Sequence, residues 1–172
     1  MQELELVVLG VDPGQNGAYV SLTQDGKIHQ KGTFSLTKGG DIDFKGYIEA
    51  IRALDPKPTV AYLEEVHAIY RSSAASTFSF GRSYQLAIDG LVANDIEIKY
   101  VPPKAWQKEV VTSPIKHKWG GQKDIKAMAL ASAQEHFVGE GFLKTPRSRV
   151  PHDGLVDASL IALYGLKKEA SN

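Results

Sequence analysis

The chain has 172 residues, 42% of them hydrophobic, and its 20 Lys/Arg balance its 20 Asp/Glu to a formal net charge of zero. That length and composition suit one domain over residues 1–172 with a real core. With no cysteine disulfides and thiolate metal sites are excluded, no apolar stretch is long enough to span a membrane, and the Met1-Gln2-Glu3 start lacks the basic region of a secretory signal.

Residues 5–12 read as a short buried strand that Asp12 closes before a Pro13-Gly14 turn. Residues 17–24 and 27–36 read as two further strands, joined by the hairpin signal Asp25-Gly26. A helix over 42–54 follows, with Ile42, Tyr47, Ile48, Ile51 and Leu54 in helical register. Asp41 is its expected N-cap, and Asp55-Pro56-Lys57-Pro58 ends it. Residues 59–64 make a fourth strand. Its alternation sets Val60, Tyr62 and Glu64 on one face and Ala61, Leu63 and Glu65 on the other.

The next helix, over 75–93, carries Gly81 and Gly90 inside it. Each costs up to about 1 kcal/mol relative to alanine, a loss that close packing against another backbone can offset. Residues 96–101 form a fifth strand, and Pro102-Pro103 opens a short helix to 109. An irregular stretch over 111–121 leads to an amphipathic helix over 122–137, a Gly-, Pro- and Arg-rich loop over 138–151, and a last helix over 152–168. Three strands in hairpin succession followed by crossovers predict an α/β fold, a mixed five-stranded sheet flanked by helices.

Charge is unevenly placed. Residues 1–65 hold ten acids and six Lys/Arg, whereas residues 99–126 hold seven lysines and two acids. The basic stretch also carries Tyr100, Trp106, His117 and Trp119. Lysines interleaved with aromatics suit phosphates and stacked bases, although a solvated lysine face has the same composition.

The acids stand where acids are costly. Asp12 closes the apolar run Leu6–Val11, on the same strand face as Val8 and Gly10, and Gly10 leaves space above the sheet. Glu64 and Glu65 close Val60–Leu63, and alternation lets only one of them point to Asp12's face. Asp153 and Asp157 lie one helical turn apart and share a face with Leu160, Ile161 and Tyr164. No Lys or Arg occurs from Val150 to Leu166. Asp153 has an ordinary use as a helix cap, and Asp12 as a turn former; Asp157, between Val156 and Ala158, has neither. Two carboxylates about 5 Å apart repel by roughly 3 kcal/mol at an effective dielectric near 20. Hard cations reverse that sign, and an oxygen-only donor set suits Mg²⁺ or Mn²⁺.

At three places the chain resembles the RuvC family of Holliday-junction resolvases, which have the RNase H-like fold. They are Gly10-Val11-Asp12-Pro13-Gly14, Leu63-Glu64-Glu65-Val66 and His152-Asp153-Gly154-Leu155-Val156-Asp157-Ala158. The resemblance implies a four-acid set on Asp12, Glu64, Asp153 and Asp157, holding two Mg²⁺ ions that Mn²⁺ can replace. The four-residue spacing of Asp153 and Asp157 departs from the three usual in bacterial members, which brings His152 in as an alternative donor. Lys123, opening the penultimate helix, falls on the family's basic catalytic position, and Lys108 is a looser match. His67 falls where the family places a junction-facing aromatic, with Tyr70 nearby as the other candidate.

The same resemblance implies a metal-dependent endonuclease that cuts four-way and related branched DNA, working as a homodimer in a bacterial or phage-infected cytoplasm. Lys104, Lys108, Lys116, Lys118, Lys123, Arg147 and Arg149 would hold the DNA backbone. Phe80-Gly81 resembles the family's helix glycine motif, with Gln85 where a second glycine is expected; the 75–93 helix is therefore the expected dimer contact. Val101-Pro102-Pro103-Lys104-Ala105-Trp106-Gln107-Lys108 resembles phage and prophage members, and Trp106 itself reads as core packing. Three rivals stand beside this reading: an RNase H-like nuclease acting on forks, flaps or hybrids, an actin-like ATP-binding domain, and a DNA-binding module that has lost catalysis, against which the retention of all four acids argues. The second also opens on an Asp-x-Gly turn, but such folds pair two domains.

Overall fold

The computed structural model describes residues 6–14, 16–66, 73–113 and 124–171. β1 (Val7–Asp12) is its central strand, with Val7 to Val11 all shut off from solvent. β2 (Ala18–Thr23) pairs antiparallel with it, and β3 (Ile28–Thr33) antiparallel with β2. On the other side β4 (Val60–Glu64) and then β5 (Glu97–Val101) add in parallel, giving the order β3-β2-β1-β4-β5. This is the mixed five-stranded sheet that the strand pattern predicts.

Alternation along the strands sorts the core into two layers. Val8, Val20, Val60 and Tyr62 face α3 (Pro103–Val110), α4 (Ile125–His136) and α5 (Asp153–Glu169). Leu9, Val11, Ala61 and Leu63 face α1 (Phe44–Arg52) and α2 (Ala74–Val92). Both faces of the middle strands are covered, so those strands read as nearly unbroken apolar runs. Among the described residues no helix is long and apolar enough to cross a membrane.

Several local expectations change. Asp41 does not cap the first helix: Asp43 does, accepting from the Gly46 amide at 3.3 Å. The chain needs two more residues there because Ile42 forms a bridge with Leu36 before the helix begins. Asp41 instead pairs with Arg82 on α2. The third strand stops at Thr33, short of residue 36. Gly90 does face a close neighbour, but it is the Tyr47 ring rather than a backbone, with 2.3 Å from an added Cβ to Cε1. Gly81 has nothing within 4 Å of that position.

Candidate active site at the ends of β1, β4 and α5

Gly10 decides how closely α5 can lie on the sheet. A Cβ there would stand 2.1 Å from the Ala158 carbonyl oxygen and 2.4 Å from the Ala162 amide nitrogen. The space that Gly10 leaves above the sheet is therefore filled by the α5 backbone. Two residues further along the same face, β1 delivers Asp12 to the N-terminal turns of α5, where Asp153 and Asp157 stand. Gly154 reinforces the approach, since a Cβ there would lie 2.5 Å from the Asn16 carbonyl oxygen in the turn after Asp12.

β4 runs parallel to β1, so both strands end on the same side, with Val11 opposite Leu63. Glu64 follows Val60 and Tyr62 onto the face covered by α3 and α5, where Trp106 reaches it. Glu65 follows the strand end, and its charge acts on Tyr84 of α2 more strongly than that of Glu64 does.

Asp12, Asp153 and Asp157 line one open cleft of ≈ 710 Å³, with Lys126 beside them and Ser76 and Phe80 at the start of α2 as another wall. A smaller hollow of ≈ 160 Å³ lies between α4 and α5, also bounded by Lys126, Asp153 and Asp157. The Lys126 ammonium donates to Asp153 Oδ2 at 2.7 Å, and both side chains are exposed. Glu64 is held differently: the indole Nε1–H of Trp106 donates to its Oε1 at 2.9 Å.

The acids feel one another. Burial pushes the Asp12 carboxyl well above the usual carboxylate range, and the charges of Asp157, Glu64 and Asp153 add to that shift. Asp157 is pushed up to about 7, first by burial and then by Glu64 and Asp153. Lys126 opposes both shifts. Burial raises Glu64 too, against the pull of the Trp106 hydrogen bond. Removing several carboxylates from water without full compensation is the electrostatic condition that a hard cation relieves. The donors are all oxygens, as Mg²⁺ and Mn²⁺ prefer. Among the described residues the side chains as placed do not form a ready-made cage of three His, Asp or Glu donors; they border a cleft instead.

Asp153 is not the helix cap. His152 takes that place, its Nδ1 accepting from the Leu155 amide at 3.4 Å, and Asp153 is the first helical residue. The cap bond commits one imidazole nitrogen of His152. Lys104 and Lys108 are exposed on α3, one turn apart on the side away from buried Trp106. Arg147 and Arg149 are exposed in the loop leading to α5. His67, Tyr70, Lys116, Lys118 and Lys123 lie outside the described residues.

Sequence reasoning missed two contacts of the acids, one from Trp106 and one from Lys126. Trp106 is core, being 1% exposed, but its polar atom serves Glu64. Its burial signals that the indole N–H needs an acceptor, without saying which one. Lys126 stands out only as one lysine of the basic 99–126 stretch, a DNA-backbone contact by that reading, and no motif ties it to Asp153 of α5.

No protein-family model matches the chain, and no curated protein sequence does either. Among solved structures, the chain is similar to Thermus thermophilus RuvC in complex with a Holliday junction substrate, with a TM-score of 0.63, 15% identity, and 97% of each chain covered. A second Thermus thermophilus RuvC structure gives a TM-score of 0.59 at 14% identity, covering 96% of this chain and 97% of the other. The chain has the RNase H-like fold of these structures.

Proposed function

We propose that this chain is a metal-dependent endonuclease that resolves four-way DNA junctions. The observation that carries the reading is the meeting of Asp12, Asp153 and Asp157 in one cleft, with Glu64 close enough to raise the first and last of them. That four acids from three distant segments come together on a fold shared with junction-bound RuvC supports a nuclease rather than a nucleotide-binding domain.

Asp12, Glu64, Asp153 and Asp157 would hold two divalent ions. Such ions, when bound, lower the pKa of an attacking water and stabilise the departing 3′ oxygen in phosphodiester hydrolysis. The chain's own groups do the rest. β1 and β4 fix Asp12 and Glu64 on rigid strand ends, and α5 presents Asp153 and Asp157 from one face. Lys126 places a positive charge at the lip of the cleft, where it can engage a backbone phosphate. Lys123, with Lys104, Lys108, Lys116, Lys118, Arg147 and Arg149, would extend that contact along the DNA. His67 or Tyr70 would stack on bases near the branch point.

A homodimer suits a twofold substrate cut on two strands. The outer face of α2 is the proposed contact: Phe78 is 69% exposed, Val92 is 60% exposed, and Gly81 between them leaves room for a close approach. The proposed phage or prophage source rests on the Val101–Lys108 segment. The test is a panel of labelled substrates incubated with Mg²⁺. Four-way junctions should be cut faster than forks, flaps or RNA–DNA hybrids; preference for any of the others would replace the junction as the target.

A further inference from the structure

We propose that Trp106 is a positioning residue for Glu64: its indole N–H occupies Oε1 and leaves Oε2 as the oxygen offered to a divalent cation. This rests on the metal-site reading above and adds a residue to it.

Glu64 ends β4 opposite Val101 of β5, and the Glu65 amide donates to the Val101 carbonyl at 2.8 Å. Pro102 and Pro103 then start α3 immediately, with Pro102 in the cap position. Trp106 therefore hangs from a short helix anchored to the same strand pair that carries Glu64. Its ring is buried in the core layer shared with Val101, Val110, Ala129 and Leu155.

Indole nitrogen is a donor only. Glu64 Oε1 therefore has one fixed partner whose role cannot reverse; that bond fixes the carboxylate plane and leaves both lone pairs of Oε2 outside it. A Trp buried solely for packing needs some acceptor, and a core offers backbone carbonyls for that. Here the acceptor is the carboxylate at the mouth of the acidic cleft, at 2.9 Å. Second partners of this kind orient metal ligands, and their loss typically weakens metal binding about 10- to 100-fold.

The test uses the full chain carrying Trp119→Phe, which leaves Trp106 as the sole tryptophan of the two. Trp106 is then replaced biosynthetically by benzothienylalanine, which keeps the bicyclic shape and puts sulfur in place of N–H. Mn²⁺ binding by calorimetry should weaken about 10-fold or more in the sulfur analogue. In the Trp119→Phe parent, Mn²⁺ should quench Trp106 emission over the concentration range in which calorimetry records binding. A folded analogue binding Mn²⁺ as tightly as its parent overturns the proposal. So does Trp106 emission that ignores Mn²⁺ while calorimetry records binding, an outcome readable even where the analogue does not fold. If neither calorimetry nor Trp106 emission of the parent shows Mn²⁺ binding, the metal-site reading fails first and takes this inference with it.

Discussion

Gly10 of β1 and Ala158 of α5 touch backbone to backbone: a side-chain carbon at Gly10 would overlap the Ala158 carbonyl oxygen at 2.1 Å. Neither partner at that contact is a flexible side-chain end that could move aside. The contact sets the height of α5 over the sheet, and hence the distance at which Asp157 meets Asp12.

Gly10→Ala should therefore push α5 away from β1. Overpacking of a well-filled core costs about 1–3 kcal/mol, and denaturant unfolding should show a loss in that range or above. Cleavage should fall further than stability accounts for, because the acids separate. A variant of wild-type stability and activity would show that the helix does not need this approach.

Asp12→Asn removes a buried charge that Asp157, Glu64 and Asp153 all repel. Cleavage should fall by at least about 10³-fold with junction binding largely spared, since the variant lacks a proposed ion ligand and keeps the proposed phosphate contacts. Without metal the variant should melt higher than the wild type, and Mg²⁺ should raise its melting temperature less. Gel-shift, cleavage and thermal-melt assays on one preparation check all three.

Asp157 gives a pH dependence of stability. Its folded-state pKa, about 7, lies above the ordinary 3.8, so the folded protein holds this proton more tightly than the unfolded chain does. The resulting stability is fully present below pH 3.8 and is lost as pH rises through about 7. Burial lowers His136 and His152, which gives an opposite trend in acid, so the wild type alone is a poor reporter. The difference between Asp157→Asn and the wild type cancels the histidines. Without metal, the Asn variant should be the more stable by a few kcal/mol above pH 7, at about 1.4 kcal/mol per pKa unit. That advantage should vanish near pH 4. A gap that stays constant across the range would remove Asp157's raised pKa from the account.

Lys126→Ala breaks an exposed ion pair with Asp153, so it should cost under about 1 kcal/mol of stability. Its larger effect should be on DNA. Junction binding should weaken at all sequences alike, and the salt dependence of binding should flatten by about one phosphate contact. Titration of affinity against salt concentration measures both.

Much of this arrangement is written locally. Strand alternation alone places Glu64 on the face of Tyr62, and the i,i+4 spacing alone puts Asp153 and Asp157 on one side of a helix. What alternation cannot give is which sheet face α5 covers, and so which glutamate joins Asp12; that choice is made by packing. The Trp106–Glu64 bond joins residues 42 positions apart, and nothing in either segment announces it. Asp41 reads as a cap because Asp is a good one, but Asp43 is as well, and the Leu36–Ile42 bridge decides between them. Gly10 is legible as a space, whereas its filling by a helix backbone comes from the sheet order.

The most direct measurement is incubation of the full chain with a synthetic four-way junction, with and without Mg²⁺. Paired nicks at symmetric positions on opposing strands, formed only when Mg²⁺ is present, are the result expected. Junctions left intact at every Mg²⁺ concentration by folded protein, or cut equally well in chelator, would contradict it.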